Sequence, residues 1–189
     1  MIPSQNVQDG ISFNFQEIPI DSYTDPNELN NTFAVFKTLD NLVYLVFADN
    51  QKNIIIYNLI DINNMAIIKK AHKGLITNFR YFSDKNNKRD LLMSISADNK
   101  ELKIWNINTI ECLLALDRIF PMGQVYSACL LEDNNQIFVV ACHNLNFGTP
   151  EAIKVYDLGG KKIKELDDLR CSTNYVDCFY DKKLKKILS

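Results

Sequence analysis

Three side chains in this sequence have the types of a hydrolytic relay: Ser94 as nucleophile, His72 as base and Asp98 as the carboxylate that orients the base. No G-x-S-x-G elbow surrounds Ser94, so nothing in the local sequence lifts its hydroxyl clear of the chain. A structural role for the three is therefore the expectation. Cys142-His143 pairs two metal-ligand types, but neighbours on a strand point to opposite faces and no second pair occurs at zinc spacing. Gly159-Gly160-Lys161 lacks the spacing of a phosphate-binding loop and reads as a hairpin turn. Glu165, Asp167 and Asp168 have the types of acids or metal ligands, but a solvated loop is the expected reading. No catalytic residue, cofactor site or metal site is expected.

The elements that carry these residues repeat. Ile54-Ile55-Ile56-Tyr57-Asn58-Leu59, Leu102-Lys103-Ile104-Trp105-Asn106-Ile107 and Ile153-Lys154-Val155-Tyr156-Asp157-Leu158 have the same form, with their aromatic residues 48 and 51 positions apart. A period of that length indicates propeller blades or a solenoid. Around each phrase, apolar runs of strand length alternate with Asn, Asp, Lys or Gly clusters, giving four strands per period.

In the middle copy the expected strands are Gly74–Phe82, Leu91–Ser96, Leu102–Ile107 and Cys112–Leu116, with a polar hairpin at 84–90 and a turn at 97–100. The third copy has Val125–Leu131, Ile137–Cys142, Ala152–Leu158 and Ile163–Leu166, with turns at 132–136 and 159–162. The first has Phe33–Thr38, Val43–Ala48, Asn53–Leu59 and Ala66–Lys69. A fourth copy begins with Tyr175–Tyr180, turns at 181–183, and aligns Ser189 with Ser94. The expected fold is all-β, with about three and a half four-stranded antiparallel blades at 32–70, 71–118, 119–170 and, in part, 171–189. A half blade has an unpaired edge, which proteins normally avoid, so the remaining blades are expected from residues beyond Ser189 or from another chain.

The middle copy resembles a WD-repeat blade. Ala71-His72, Ser94-Ile95-Ser96-Ala97-Asp98 and Ile104-Trp105-Asn106 are similar to that family's Gly-His to Trp-Asp pattern, with Ala71, Ile95 and Asn106 as departures. The resemblance implies a WD-repeat β-propeller in which His72, Ser94, Asp98 and Trp105 form a structural hydrogen-bond network. Tyr57 and Tyr156 take the tryptophan position in the other copies, and neither copy has a matching upstream His. The resemblance also implies that the N-terminal arm, 1–31, supplies a closing strand to the last blade. The partial alternation of Ile11, Phe13 and Phe15 suits such a strand.

Composition is that of an ordinary globular chain, 47% hydrophobic and 23% charged. The 21 basic and 23 acidic residues nearly cancel, which argues against a dedicated nucleic-acid binder. Five cysteines with no C-x-x-C pair suit a reducing compartment, so a cytoplasmic or nuclear protein is expected. The first thirty residues have no secretory pattern, and the longest apolar run, Leu42–Ala48, is far too short for a membrane span.

Function is then expected in the loops: a non-catalytic scaffold or adaptor that binds partner proteins. The long loop 143–151 carries Asn146 and Phe147 as candidate partner contacts. Lys182 and Lys183, with Lys85, Lys88, Arg89, Lys161 and Lys162, would form a basic patch interrupted by Glu132 and Asp133. That patch supports two alternatives, an acidic protein partner or an anionic membrane surface. The Arg-Arg signature of lipid-binding propellers is missing, which disfavours the membrane. A propeller hydrolase, the other alternative, has no convergent constellation.

Overall fold

The computed structural model describes residues 32–61, 63–96, 100–120, 125–143, 151–169, 179–181 and 186–188. These residues form strands, turns and connections, with no helix among them. The N-terminal arm, Asp98, the loop with Asn146 and Phe147, and Lys182 and Lys183 lie outside the described residues.

Three antiparallel meanders of four strands succeed one another along the chain. Sheet 1 contains β1 (Phe33–Lys37), β2 (Val43–Ala48), β3 (Ile54–Asn58) and β4 (Met65–Ile68). Sheet 2 contains β5 (Asn78–Asp84), β6 (Arg89–Ser96), β7 (Glu101–Asn106) and β8 (Glu111–Leu116). Sheet 3 contains β9 (Val125–Asp133), β10 (Gln136–His143), β11 (Glu151–Asp157) and β12 (Lys162–Leu169). A further hairpin joins β13 (Phe179–Asp181) to β14 (Lys186–Leu188).

The repeat is legible because strand pleating sends alternate side chains to opposite faces. Along β6, Leu91, Met93 and Ile95 join Leu102, Ile104, Val125, Val139 and Ala141 in the layer between sheets 2 and 3. Leu92 faces the other way, into a layer between sheets 1 and 2 with Val46, Ile54, Ile56, Ile76 and Trp105. A third apolar layer, Cys129, Leu131, Val140, Cys142, Ile153 and Val155, lies on the remaining face of sheet 3. Sheet 2 is thus buried on both faces. Burying a large aliphatic side chain contributes roughly 1.5–3 kcal/mol, so these layers are the main source of stability.

The sheets approach one another at their first two strands, β1 with β5, and β5 and β6 with β9. Phe36 of β1 stacks on Tyr81 of β5 with ring centroids 4.4 Å apart. Below that stack, Asp90 Oδ1 accepts the Leu39 N–H at 3.0 Å and the Tyr81 hydroxyl at 2.6 Å. Burial, reinforced by the bond to Asp90, pushes the Tyr81 phenol up to about 12.

Several boundaries differ from those expected from sequence. The polar segment 84–90 reads from sequence as all hairpin, yet Asp84 and Asp90 are strand residues, each 1% exposed. Asp84 is held by Asn87 and by Arg89 Nε at 2.6 Å, so its charge is satisfied inside the turn. The first strand of the same copy, β5, starts at Asn78 rather than Gly74, because 71–77 is the connection that carries His72. In sheet 3 the hairpin narrows to Asn134-Asn135, whose φ values of 49° and 63° make the two-residue turn that matches strand twist. In the last hairpin Asp181 pairs with Lys186 as Asp84 pairs with Arg89. Leu188 therefore matches Leu91, two positions off the alignment of Ser189 with Ser94.

Leu91→Ala and Leu92→Ala should each lower unfolding free energy by about 2–5 kcal/mol in urea titrations, through opposite faces of the same strand. Val35→Ala, at a side chain 55% exposed, should change it by less than about 1 kcal/mol.

Candidate functional site

Sheet register decides which polar side chains can meet. Ser94 pairs with Lys103 and Leu92 with Trp105, so Trp105 lies diagonally beside Ser94 on one face of sheet 2. Glu101, Lys103 and Trp105 alternate along β7 and share that face, while Leu102 and Ile104 fill the opposite layer. The connection from β4 to β5 then lays His72 over the row.

The result is a continuous chain of hydrogen bonds. Trp105 Nε1–H donates to Ser94 Oγ at 2.8 Å. Ser94 Oγ lies 2.7 Å from His72 Nε2, and His72 Nδ1 lies 2.9 Å from Glu101 Oε2. A single proton arrangement satisfies every group: Nδ1–H donates to the carboxylate, and the serine hydroxyl donates to Nε2 while accepting from the indole. Glu101 Oε2 also accepts the Lys73 N–H at 3.3 Å, and Glu101 Oε1 pairs with Lys103 Nζ at 3.3 Å. The Lys103 ammonium donates to the Ala71 carbonyl at 2.6 Å and sits 5.7 Å from the Trp105 ring centre.

Ser94, His72 and Glu101 therefore have the connectivity of a catalytic relay, but the nucleophile is closed off. Ser94 is 0% exposed, and the indole N–H is bonded to the oxygen that would attack. In this arrangement the hydroxyl is enclosed and committed to two hydrogen bonds. Burial pushes the His72 imidazole down from 6.5 to about 4, against the pull of Glu101 and with the help of Lys103.

The carboxylate at His72 Nδ1 is Glu101, which the sequence reading does not single out. A signal is present: Glu101 stands two and four residues before Lys103 and Trp105, on their face of the strand. Asp98, expected in that role by resemblance, lies outside the described residues.

The corresponding positions in the other sheets are filled consistently. Ser94 corresponds to Ala141 and to Phe47, which pair with Lys154 and Ile55 as Ser94 pairs with Lys103. In sheet 3, Lys154 Nζ donates to the Ile119 carbonyl at 3.0 Å, as Lys103 does to Ala71. Phe120 then takes the place of His72, 4.9 Å beneath the Lys154 ammonium. In sheet 1, Phe47 stacks on Tyr57 at 5.9 Å. Where serine is lost, the aromatic partner packs on an apolar side chain instead.

Of the other candidates, Glu165 is engaged by Lys162 and by Lys154 at 3.2 Å, and the Lys162 hydrogen bond leads in holding its carboxyl below the usual range. Arg89 is bound to Asp84, and Asn86 reaches across to Glu132 at 2.8 Å, so part of the expected basic patch is neutralised or bridged. Among the described residues no three His, Cys, Asp or Glu side chains gather as a metal site. No model of a known protein family matches the chain, and no curated protein matches it.

Trp105→Phe should cost about 1–2 kcal/mol, because it removes the donor to a buried hydroxyl while keeping the ring. A proton on His72 binds the unfolded chain near pH 6.5 and the folded protein only near 4. The stability this histidine contributes is therefore complete above pH 6.5 and is lost as pH falls toward about 4. Urea denaturation of His72→Gln across that interval should give a shallower acid dependence than the wild type, and equal slopes would refute the assignment.

Proposed function

We propose that this chain is a non-catalytic protein-interaction scaffold built on a WD-repeat β-propeller, of which it carries about three and a half blades. The observation that carries this reading is the arrangement of the three repeated meanders. They succeed one another through apolar layers and come closest at their first two strands, as blades around an axis do. The bonded set of His72, Ser94 and Trp105 on one sheet supports the same reading.

The reading also calls for a further sheet packed against the three described ones. The far face of sheet 1 favours such a neighbour. On it Phe33, Phe47, Ile55 and Ile67 lie in one cross-strand row and Val35, Leu45, Tyr57 and Met65 in the next. Phe33 is 66% and Val35 55% exposed there, a contiguous apolar surface of the sort that marks an interface. Partner proteins are held by loops, with Asn146 and Phe147 as the first candidates and Lys182 and Lys183 as the basic ones. The odd set of five cysteines supports a cytoplasmic or nuclear setting.

The sealed Ser94 hydroxyl counts against a propeller hydrolase. Wild type and Ser94→Ala should hydrolyse p-nitrophenyl acetate at the same background rate, and turnover dependent on Ser94 would overturn the non-catalytic reading. Affinity purification of the full chain should recover a stoichiometric protein partner, at least about tenfold depleted in Phe147→Ala if that aromatic is a hot spot. Recovery of no partner at any stoichiometry counts against the scaffold itself.

A further inference from the structure

On the edge where sheets 1 and 2 meet, a recess of about 630 Å³ is lined by Asn50, Gln51, Lys52, Lys70, Lys73 and Lys103, with His72 and Glu101 at its base. Its walls are fastened to each other. The Ala71 N–H donates to the Lys52 carbonyl at 2.8 Å, and the Lys70 N–H donates to Asn53 Oδ1 at 2.8 Å. The β2–β3 turn and the β4–β5 connection therefore hold Lys52 and Lys70 side by side.

Charge in the recess does not cancel. Among the described residues Glu101 is its one lining carboxylate, and both of its oxygens are already engaged, by His72 and the Lys73 N–H on one and by Lys103 on the other. Neither Lys52 nor Lys70 has a carboxylate within ion-pair distance among the described residues. Lys73 reaches only Asp117, at 3.4 Å and with both side chains more than half exposed, a pair that competes weakly with any other anion. Two to three positive charges are thus left to face one pocket-sized space, beside the amide side chains of Asn50 and Gln51.

We infer that this recess binds a phosphate monoester carried on a partner protein, a phosphoserine or phosphothreonine side chain. This rests on the scaffold reading and assigns it a recognition chemistry. A phosphate ester brings about −1.5 to −2 charges and three strong acceptor oxygens at neutral pH, which matches the unpaired lysines better than a single carboxylate does. Asp49 beside the β2–β3 turn and Asp117 beyond Lys73 confine the positive charge to the recess. Such local charge suits one phosphate within a peptide, whereas a membrane surface calls for a broad basic face.

The test uses a fluorescein-labelled Gly-Ala peptide with one phosphoserine, its unphosphorylated twin, inorganic phosphate, and phosphatidylcholine vesicles with or without phosphatidylinositol phosphate. Fluorescence anisotropy with the full chain should show saturable, salt-sensitive binding of the phosphopeptide, competed by inorganic phosphate and not given by the twin. Lys52→Glu with Lys70→Glu should weaken it at least about tenfold, as loss of two charge-assisted contacts implies. Lys161→Glu with Lys162→Glu, at exposed positions on sheet 3, should leave it unchanged. Lys52→Gln with Lys70→Gln, which merely neutralises the two side chains, should weaken it in the same direction and guards against misfolding of the reversed variant, with circular dichroism as the check. Equal binding of twin and phosphopeptide, or equal affinity of wild type and both recess variants, overturns the proposal. So does binding confined to the phosphoinositide vesicles, which assigns the recess to a membrane. Partner recovery that survives the recess variants while phosphopeptide binding is absent sinks this inference and leaves the scaffold standing.

Discussion

Everything else in this structure depends on the central sheet having an apolar neighbour on each side. A four-stranded meander has too little surface to enclose a core of its own, so its two faces must both be covered by other sheets. In β6 this is met residue by residue, with Leu91, Met93 and Ile95 serving one interface and Leu92 the other. A shift of one residue in the pairing of β6 with β7 would exchange the two faces and carry Ser94 into an apolar layer, so register is fixed by both interfaces at once. The outer sheets are the less complete ones: sheet 1 leaves Phe33 and Val35 in solvent, and the far layer of sheet 3 has no described sheet over it.

A polar chain inside such a structure is tolerable only if every member is satisfied. The run from Trp105 through Ser94 and His72 to Glu101 meets that condition, and Lys103 closes it by balancing the carboxylate. The other sheets show the consequence of losing one member. Alanine at 141 leaves nothing for an imidazole or indole to bond, and Phe120 and Tyr156 stand at those places. Phenylalanine at 47 is met by the Tyr57 ring. The substitutions come as sets, since a lone buried donor costs about 1–3 kcal/mol while a matched apolar replacement costs little.

This explains how far the sequence can be read. The meanders are legible from Tyr57, Trp105 and Tyr156, because an aromatic after two or three apolar residues is a strand signal and its recurrence gives the period. His72, Ser94 and Trp105 can be picked out as a group by resemblance. Glu101 is not part of that resemblance; its alternation with Lys103 and Trp105 places it on their face, but its pairing with His72, 29 residues away, depends on the path of the β4–β5 connection. Asp84 and Asp90 mislead for a related reason. Polarity normally argues for a turn, but each of these carboxylates is buried with its hydrogen bonds made by the turn itself or by the neighbouring sheet. The recess lysines carry no sequence signal either, because Lys52 and Lys70 are brought together by backbone bonds between separate turns.

The lysine of the third strand is a further device that hydropathy conceals. Lys103 and Lys154 occupy the same register position, and each sends its ammonium to a carbonyl in the connection that enters its own sheet, Ala71 in one case and Ile119 in the other. The stem packs along the sheet while the charge satisfies a backbone acceptor and lies against an aromatic ring. Sheet 1 has Ile55 at that position and no such strut. The strut holds whether the residue after the carbonyl is His72 or Phe120, so a sheet that has lost the serine relay keeps its entering connection docked. Sheet 3 thus lacks the polar chain of sheet 2 yet has the same strand order and the same seating of its entering connection.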